Sequence, residues 1–123
     1  MEKKTTVSDA ELEILEVLWE AGKALNAAEI RTLLEKNKKW ERTTILTLIQ
    51  RLVKKGMLAQ EKREVYYYWP NVDRKDYVKE ETRNFVNKFF KGKAGNMAAA
   101  LMSDDSLTKE DIEELRDFFN SRF

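Results

Sequence analysis

The strongest pattern along the chain is an apolar stripe between Trp40 and Gly56. Apolar side chains recur there at the spacing of one helical face, at Ile45, Leu48, Ile49, Leu52 and Val53. The opposite face carries hydroxyls, an amide, cations and one leucine: Thr43, Leu46, Thr47, Gln50, Arg51 and Lys54. Lysines in the last turn interact favourably with the helix dipole, and Gly56 is a residue typical of a helix C-terminus. The pattern predicts an amphipathic helix whose outer face either reads DNA or is simply solvated.

Two shorter helices are predicted before this striped helix. Ser8 and Glu11 have the spacing of a capping box that opens the first helix, and Gly22 ends it. Asn26 and Glu29 have the same spacing at the start of the second helix. The residues between the two helices predict one short extended segment. Two short helices followed by a third with a cationic face predict a helix-turn-helix arrangement.

After Gly56 the apolar period changes from helical to alternating. Met57–Lys62 and Val65–Trp69 predict two strands around Arg63-Glu64, closed by Pro70. With cations at its tip, this hairpin predicts the wing of a winged helix. Its adjacent aromatic residues either pack the hairpin against the helices or offer a stacking platform for bases, and packing is the commoner use.

The sequence predicts a mainly α fold with a small β-hairpin, divided at Pro70-Asn71-Val72. Residues 1–71 would form the winged-helix DNA-binding domain and residues 72–123 a helical domain. Small helical bundles commonly gain stability by oligomerising, so we expect a homodimer through three C-terminal helices. The alternative is that these helices pack back onto the first domain. The residues expected at the dimer contact are Phe85, Phe89, Leu101, Ile112, Leu115, Phe118 and Phe119.

Composition narrows the chemistry that the chain can perform. Its 123 residues include no Cys and no His, which removes disulfides, thiolate or imidazole metal sites and Cys–His or Ser–His catalysis. The remaining carboxylate pairs lie in polar contexts typical of a solvated helix face. We therefore expect a protein that is not an enzyme and that uses no metal or cofactor. The sequence lacks an apolar run near the ~20 residues of a membrane span and a signal-peptide core, so we expect a cytoplasmic protein without membrane insertion.

Charge is nearly balanced overall but unevenly distributed. The formal net charge is +1, yet the segment from Lys36 to Arg63 carries nine basic and two acidic residues, a net charge of +7. The segment from Asp9 to Glu20 carries five acidic residues and no basic one. A local basic patch in a near-neutral protein is typical of phosphate contact, with nearby acids opposing misplaced binding.

In their order and spacing, these strings resemble the BlaI/MecI family of penicillinase repressors over nearly the whole chain. The matching strings are Ser8–Glu11 with Trp19, Trp40 with Thr44–Gly56, Phe85–Gly92 and Asp111–Arg116. The resemblance implies an N-terminal winged helix, a C-terminal helical dimerisation region and transcriptional repression of antibiotic-resistance genes. A related copper-responsive branch carries a C-terminal cysteine cluster for metal, and the lack of Cys excludes its sensing chemistry.

The resemblance also implies induction by proteolysis. In the family, a β-lactam-sensing membrane metalloprotease triggers cleavage in the short helix of the dimerisation region, and the weakened dimer leaves its operator. The matching bond in this chain joins Ala100 to Leu101, where the well-known members have an Asn-Phe pair. The sensor protease is therefore an implied partner beside double-stranded DNA and a second copy of the chain.

The leading hypothesis is a dimeric repressor on a palindromic operator, with a recognition helix on each half-site. Its predicted base contacts are Thr43, Thr44, Leu46 and Thr47, and its predicted phosphate contacts are Arg42, Arg51, Lys54, Lys55, Lys62 and Arg63.

The start of the recognition helix departs from the family. The well-known members have Ser-Pro-Lys where this chain has Glu41-Arg42-Thr43, and an Arg at Leu46, so a different operator is expected. Leu46 either contacts a thymine methyl or packs under a neighbouring loop. The alternatives for the whole chain are a winged-helix module that binds protein and a repressor of an unrelated regulon.

Overall fold

A computed structural model of the chain describes residues 6–103 and 105–122, with side chains described as far as Asp117. The elements are α1 (Asp9–Ala21), β1 (Leu25–Asn26), α2 (Ala27–Leu34), α3 (Arg42–Lys54), β2 (Leu58–Lys62), β3 (Tyr66–Pro70), α4 (Arg74–Phe90), α5 (Ala94–Met102) and α6 (Lys109–Arg122). The predicted mainly helical fold with a winged helix-turn-helix is confirmed. Within the described ranges, each helix is too short or too polar to cross a membrane.

The predicted capping boxes open α1 and α2. The Ser8 hydroxyl accepts from the Glu11 amide at 3.1 Å, and the Glu11 carboxylate accepts from the Ser8 amide at 2.9 Å. Asn26 and Glu29 make the same reciprocal pair at the start of α2. Gly22 ends α1 in the left-handed region, at a φ of 68° that residues with a Cβ rarely adopt. These caps set where the first two helices start and where the chain turns between them.

The apolar stripe of α3 is the centre of the core. Ile45, Leu48, Ile49 and Leu52 are buried, whereas Val53 is half-buried at the edge. The stripe packs against buried residues of α1 and α2, namely Ile14, Leu15, Leu18, Ile30 and Leu34. Because the apolar side of α3 faces these helices, its polar side faces outward.

The three strands form one antiparallel sheet in the order β1-β3-β2. β2 and β3 are the predicted hairpin, with Lys62 opposite Tyr66 next to the turn. The short extended segment predicted before α2 pairs with this hairpin as β1, with Leu25 opposite Tyr68. Leu25 and Tyr68 are both buried in the core, so this part of the aromatic run packs the sheet against the helices.

The first turn of α4 is fastened to α1. The Trp19 indole donates to the Val72 carbonyl at 2.9 Å and packs against the Tyr77 ring, with a centroid distance of 5.6 Å. The Arg74 guanidinium makes two hydrogen bonds to the Glu16 carboxylate, at 2.7 and 3.2 Å. The chain divides into two compact units between Tyr77 and Val78. These contacts hold the start of α4 to α1 within the first unit, and the domain boundary expected at Asn71-Val72 stays a prediction.

The second unit contains most of α4 together with α5 and α6. Among its residues with described side chains, Val86 is the only buried one. Thr108 and Asp111 form a capping box at the start of α6, with both hydrogen bonds at 3.0 Å. α5 starts at Ala94, so only three residues separate it from the end of α4 at Phe90. The described side chains of this unit therefore form almost no core by themselves.

A buried ion pair joins α1 to the end of α3. Glu11 is only 2% exposed and is the one charged residue buried in the described part of the chain. The Lys55 ammonium donates to its carboxylate at 2.5 Å and to the Thr6 carbonyl at 2.6 Å. The same Glu11 oxygen accepts from the Ser8 amide, so it both caps α1 and holds Lys55.

The environment of Glu11 lowers its pKa below the ordinary value of 4.5. Burial raises the pKa, but the hydrogen bond from Lys55, the Ser8 amide and the Lys55 charge together outweigh burial because they favour the carboxylate. A lowered folded-state pKa stabilises the fold at every pH above the unfolded value. That contribution is lost as the pH falls through the folded-state pKa.

We expect Glu11→Gln to destabilise the protein by about 1.5–3 kcal/mol at pH 7, the usual worth of hydrogen bonds to a charged group. The glutamine can still accept from Ser8, so the loss reports the charge rather than the cap. The difference in unfolding free energy between wild type and variant should shrink as the pH falls below 4.5, in urea titrations at several pH values. Glu20→Gln removes the same charge from an exposed position of α1 and should cost less. A pH-independent difference for Glu11→Gln would contradict the assignment.

Candidate nucleic-acid interface

The outward face of α3 presents a continuous polar surface. Thr43, Thr47, Arg51 and Lys54 are all exposed, as the helical period predicts, and Thr44 is exposed beside them. Leu46 is half-buried, so its side chain is only partly available to a partner. Hydroxyls dominate the first half of this face and cations the last turn. An α-helix of this kind has the width that the major groove of DNA admits.

Thr47 uses its hydroxyl proton inside the helix. Its Oγ1 donates to the Thr43 carbonyl at 2.9 Å. The oxygen keeps its acceptor capacity, because a hydroxyl has one proton to donate and two lone pairs. Thr47 is therefore suited to accept from an exocyclic amino group of adenine or cytosine, the donors that these bases show in the major groove.

The first turn of α3 is electrostatically open to an anion. Glu41 is the N-cap residue, but its side chain makes no capping hydrogen bond, and the first turn contains no acidic residue. The first backbone N–H groups of a helix have no partner within it, and the dipole is positive at this end. Arg42, exposed at the first helical position, adds a full charge beside them. A phosphate oxygen would be stabilised by each of these groups.

A cleft of roughly 250 Å³ lies between α2 and α3. One of its lining residues, Arg31, was not among the site residues predicted from the sequence. Arg31 and Arg42 both line it, with Glu35 at the same cleft. The Arg31 Nε is buried without a hydrogen-bond partner, and it lies 3.8 Å from the nearest Glu35 oxygen. In the sequence Arg31 and Glu35 form an ordinary i,i+4 pair on a helix surface. Only the packing of α2 on α3 shows that Arg31 shares a cleft with Arg42.

Lys55 is turned away from the outward face of α3, so its predicted phosphate contact stays a prediction that the structure does not favour. Its ammonium is bonded to Glu11 and Thr6, and its side chain is 23% exposed. The helical pattern of the sequence placed Lys55 in the last turn beside Lys54. Lys54, in contrast to Lys55, is exposed. Lys55 is the C-cap residue of α3, and its side chain reaches back to the first turn of α1.

The hairpin holds its two predicted cations against aromatic rings. Arg63 lies 4.5 Å from the centroid of the Tyr67 ring, and its Nε donates to Glu61 at 2.8 Å. Lys62 lies 6.0 Å from the Tyr66 centroid. Cation–π contacts of this kind restrict where the charge can sit. Both cations remain exposed, so they can still meet a phosphate, although Glu61 offsets part of the Arg63 charge.

Two acidic side chains of α1 form ion pairs with other parts of the first unit. Glu11 is buried with Lys55, and Glu16 is held by Arg74. The Arg74 hydrogen bond lowers the pKa of Glu16. These two carboxylates therefore act first as internal partners. The role of the remaining α1 acids in opposing misplaced DNA stays a prediction.

The described side chains bring no carboxylates together as a metal site. In residues 6–103 and 105–122 there is no group of three or more acidic side chains that could hold an ion. What the described side chains assemble instead is a surface of cations and hydroxyls around α3, the α2–α3 cleft and the hairpin.

Comparison with known proteins assigns this arrangement to a family. The sequence profile of the penicillinase repressor family matches residues 7–121. The penicillinase repressor of Bacillus licheniformis is 37% identical over 116 residues, covering 94% of this chain and 90% of that protein. The methicillin resistance regulatory protein MecI of Staphylococcus aureus strain N315 is 32% identical over 124 residues, covering 99% of this chain and all of MecI.

A solved structure extends the similarity to the winged helix. Bacillus licheniformis BlaI, solved as a monomer in complex with the blaP half-operator, matches with a TM-score of 0.52 and 41% identity. The match covers 63% of this chain and 94% of that chain. With the profile matching almost end to end, the chain belongs to the penicillinase repressor family, the BlaI/MecI family that its motifs resemble.

Proposed function

We propose that the chain is a DNA-binding transcriptional repressor of β-lactam resistance genes, and that α3 is its recognition helix. The observation that carries the proposal is the outward face of α3, which exposes hydroxyls and cations while its apolar stripe is buried in the core. BlaI, at 41% identity, was solved on half of an operator, which supports the same kind of partner for this chain. The family consists of repressors, which fits the non-enzymatic expectation.

Base contacts belong to the first half of α3. Thr43, Thr44 and Thr47 are exposed there. The hydroxyls of Thr43 and Thr44 can accept from bases or donate to them, whereas the hydroxyl of Thr47 is suited to accept. Leu46 would offer the exposed part of its side chain to a thymine methyl. This half of the helix contains the departures from the family pattern, so we expect an operator that differs from the familiar one.

Phosphate contacts surround that half. We assign them to exposed cations on α3 and on the hairpin: Arg42, Arg51, Lys54, Lys62 and Arg63. Arg31 joins this set because it shares the α2–α3 cleft with Arg42. Such contacts supply affinity and orientation but carry little sequence information.

The repressor would act as a homodimer through α4, α5 and α6. Phe85, Phe89 and Leu101 are 48%, 61% and 40% exposed, which is unusual for large apolar side chains in a stable monomer. A cleft of roughly 410 Å³ between α5 and α6, with Ile112 and Leu115 in its lining, is almost entirely apolar. Phe118 and Phe119 lie on the last helix, but their side chains are outside the described part of the chain. A second copy would cover this surface and bury the apolar side chains that the described part of the unit exposes.

Release would follow cleavage near the bond between Ala100 and Leu101. Both residues are exposed, and α5 contains no buried side chain. Lys93, its N-cap residue, makes no capping hydrogen bond. A protease needs an extended substrate, and a helix with so few tertiary contacts opens locally at low cost. These features support a cleavable segment here, with a membrane β-lactam sensor protease as the partner that triggers it.

We expect Arg51→Gln and Thr47→Val to affect DNA binding in different ways. Arg51→Gln should weaken binding to all duplexes alike and reduce the slope of log affinity against log salt by about one, because one phosphate contact is lost. Thr47→Val keeps the side-chain shape and removes the hydroxyl. It should leave the slope unchanged and shift the preference at one base pair by about 1–3 kcal/mol.

The measurement is a gel shift at several salt concentrations, against the DNA upstream of the gene and against duplexes with single base-pair changes. A wild-type affinity that does not fall with salt would refute DNA binding as the function. Equal effects of both substitutions on slope and on preference would refute the division of roles.

We expect Phe89→Asp to dissociate the dimer at micromolar concentration in sedimentation experiments. The change places a charge in an apolar contact, while the high exposure of Phe89 means that the monomer should still fold. Asn87→Asp adds the same charge at an exposed position away from the apolar side of α4 and should leave the dimer intact. A monomeric wild type would overturn the dimer itself.

A further inference from the structure

Lys55 joins three parts of the first unit at one point. It is the C-cap residue of α3, directly after the last helical residue, Lys54. Its ammonium reaches the buried carboxylate in the first turn of α1 and the carbonyl of Thr6, which precedes α1. The end of the proposed recognition helix is therefore tied to the start of α1 by charged hydrogen bonds.

The apolar stripe of α3 cannot fix the orientation of the helix as these charged hydrogen bonds can. Ile45, Ile49 and Leu52 hold α3 against the core through contacts that are strong but have no preferred direction. Such contacts tolerate a small tilt or slide of the helix. A hydrogen bond between charged groups has a narrow range of length and angle, so it restricts both movements.

A buried ion pair is also a poor device for stability alone. Desolvating two charges costs free energy that their attraction often only offsets, and apolar residues of similar shape serve the core as well. Glu11 is nonetheless the one charged side chain buried in the described residues, and its partner lies at the end of α3. A pair that apolar residues could replace at little cost in stability, but that restricts geometry, suits a part of the protein where geometry matters.

We propose that Glu11 and Lys55 are positioning residues that set the tilt and axial register of α3 for base recognition, without contacting DNA. The inference rests on the proposed function, because it requires that α3 contacts the operator. α3 has 13 residues and is about 20 Å long. A tilt of roughly 5° about its anchored end moves the first turn by nearly 2 Å, more than a base hydrogen bond tolerates.

The test uses the full-length double variant Glu11→Gln/Lys55→Met. It removes both charges together, so no buried charge is left unpaired and the net charge is unchanged. Gln can keep the capping bond to Ser8, and Met has about the length of the lysine stem. Lys54→Met is the matched control, because Lys54 is the neighbouring lysine but is exposed.

The probes are a duplex that the wild-type chain enriches from a random pool and a scrambled duplex of the same composition. For the double variant, we expect the ratio of the two affinities to fall roughly tenfold, the effect of losing about one base contact. Its salt slope should equal that of wild type. Lys54→Met should instead lower the slope by about one and leave the ratio unchanged.

Two results for the double variant would overturn the inference. An unchanged ratio would show that the pair has no part in positioning. An unchanged ratio with a slope lowered by about one would assign Lys55 to a phosphate instead. All measurements are made at a temperature at which circular dichroism shows each variant to be folded.

If the double variant does not fold, Lys55→Arg replaces it, because arginine keeps the charge but changes the geometry of the pair. We then expect a reduced ratio at an unchanged slope, and an unchanged ratio would overturn the inference. A wild-type chain that enriches no sequence would refute the proposed function, and the inference with it. That outcome is distinct from enrichment by wild type with no effect of the variants.

Discussion

Burial of one face of α3 is the constraint on which the first unit depends. Ile45, Leu48, Ile49 and Leu52 are each exposed by no more than 5%, and they need α1 and α2 around them. Each residue advances about 100° around a helix, so a shift of the pattern by one position would turn hydroxyls and cations into the core without partners. The polar outer face of α3 is therefore a consequence of the same pattern that builds the core.

Local features of this fold could be predicted from the sequence because their causes are local. The stripe, the two capping boxes of the first unit and the left-handed stop at Gly22 depend on residues within a few positions of one another. The pairing of β1 with β3 could not be predicted, because two strand residues carry too little periodicity to name a partner. The contact between Glu11 and Lys55 joins residues that are far apart in the chain, so no local sequence pattern predicts it.

The same distinction explains the mixed result for the candidate site. The helical period correctly placed Thr43, Arg51 and Lys54 on the exposed face of α3. It gave no warning that Lys55 turns inward, because the period ends where the helix ends. It also passed over Arg31, whose position in the α2–α3 cleft follows from how two helices pack. The helical period predicts which residues share one face of a helix. Long-range packing decides which of their side chains are free to bind a partner.

The two ends of α3 are held differently, and this difference bears on how operator preference can change. At the C-terminal end, Lys55 is bonded to Glu11, and Asn71 bonds to the backbone of Gly56 and Met57. At the N-terminal end, Glu41 makes no side-chain cap.

Glu41, Arg42 and Thr43, three of the positions at which the sequence is expected to depart from the family pattern, lie at this uncapped end and are exposed. Exposed residues contribute little to folding free energy, so they can be exchanged without repacking the core. A recognition helix anchored at one end and exposed at the other can acquire a new base preference while the fold that presents it stays the same.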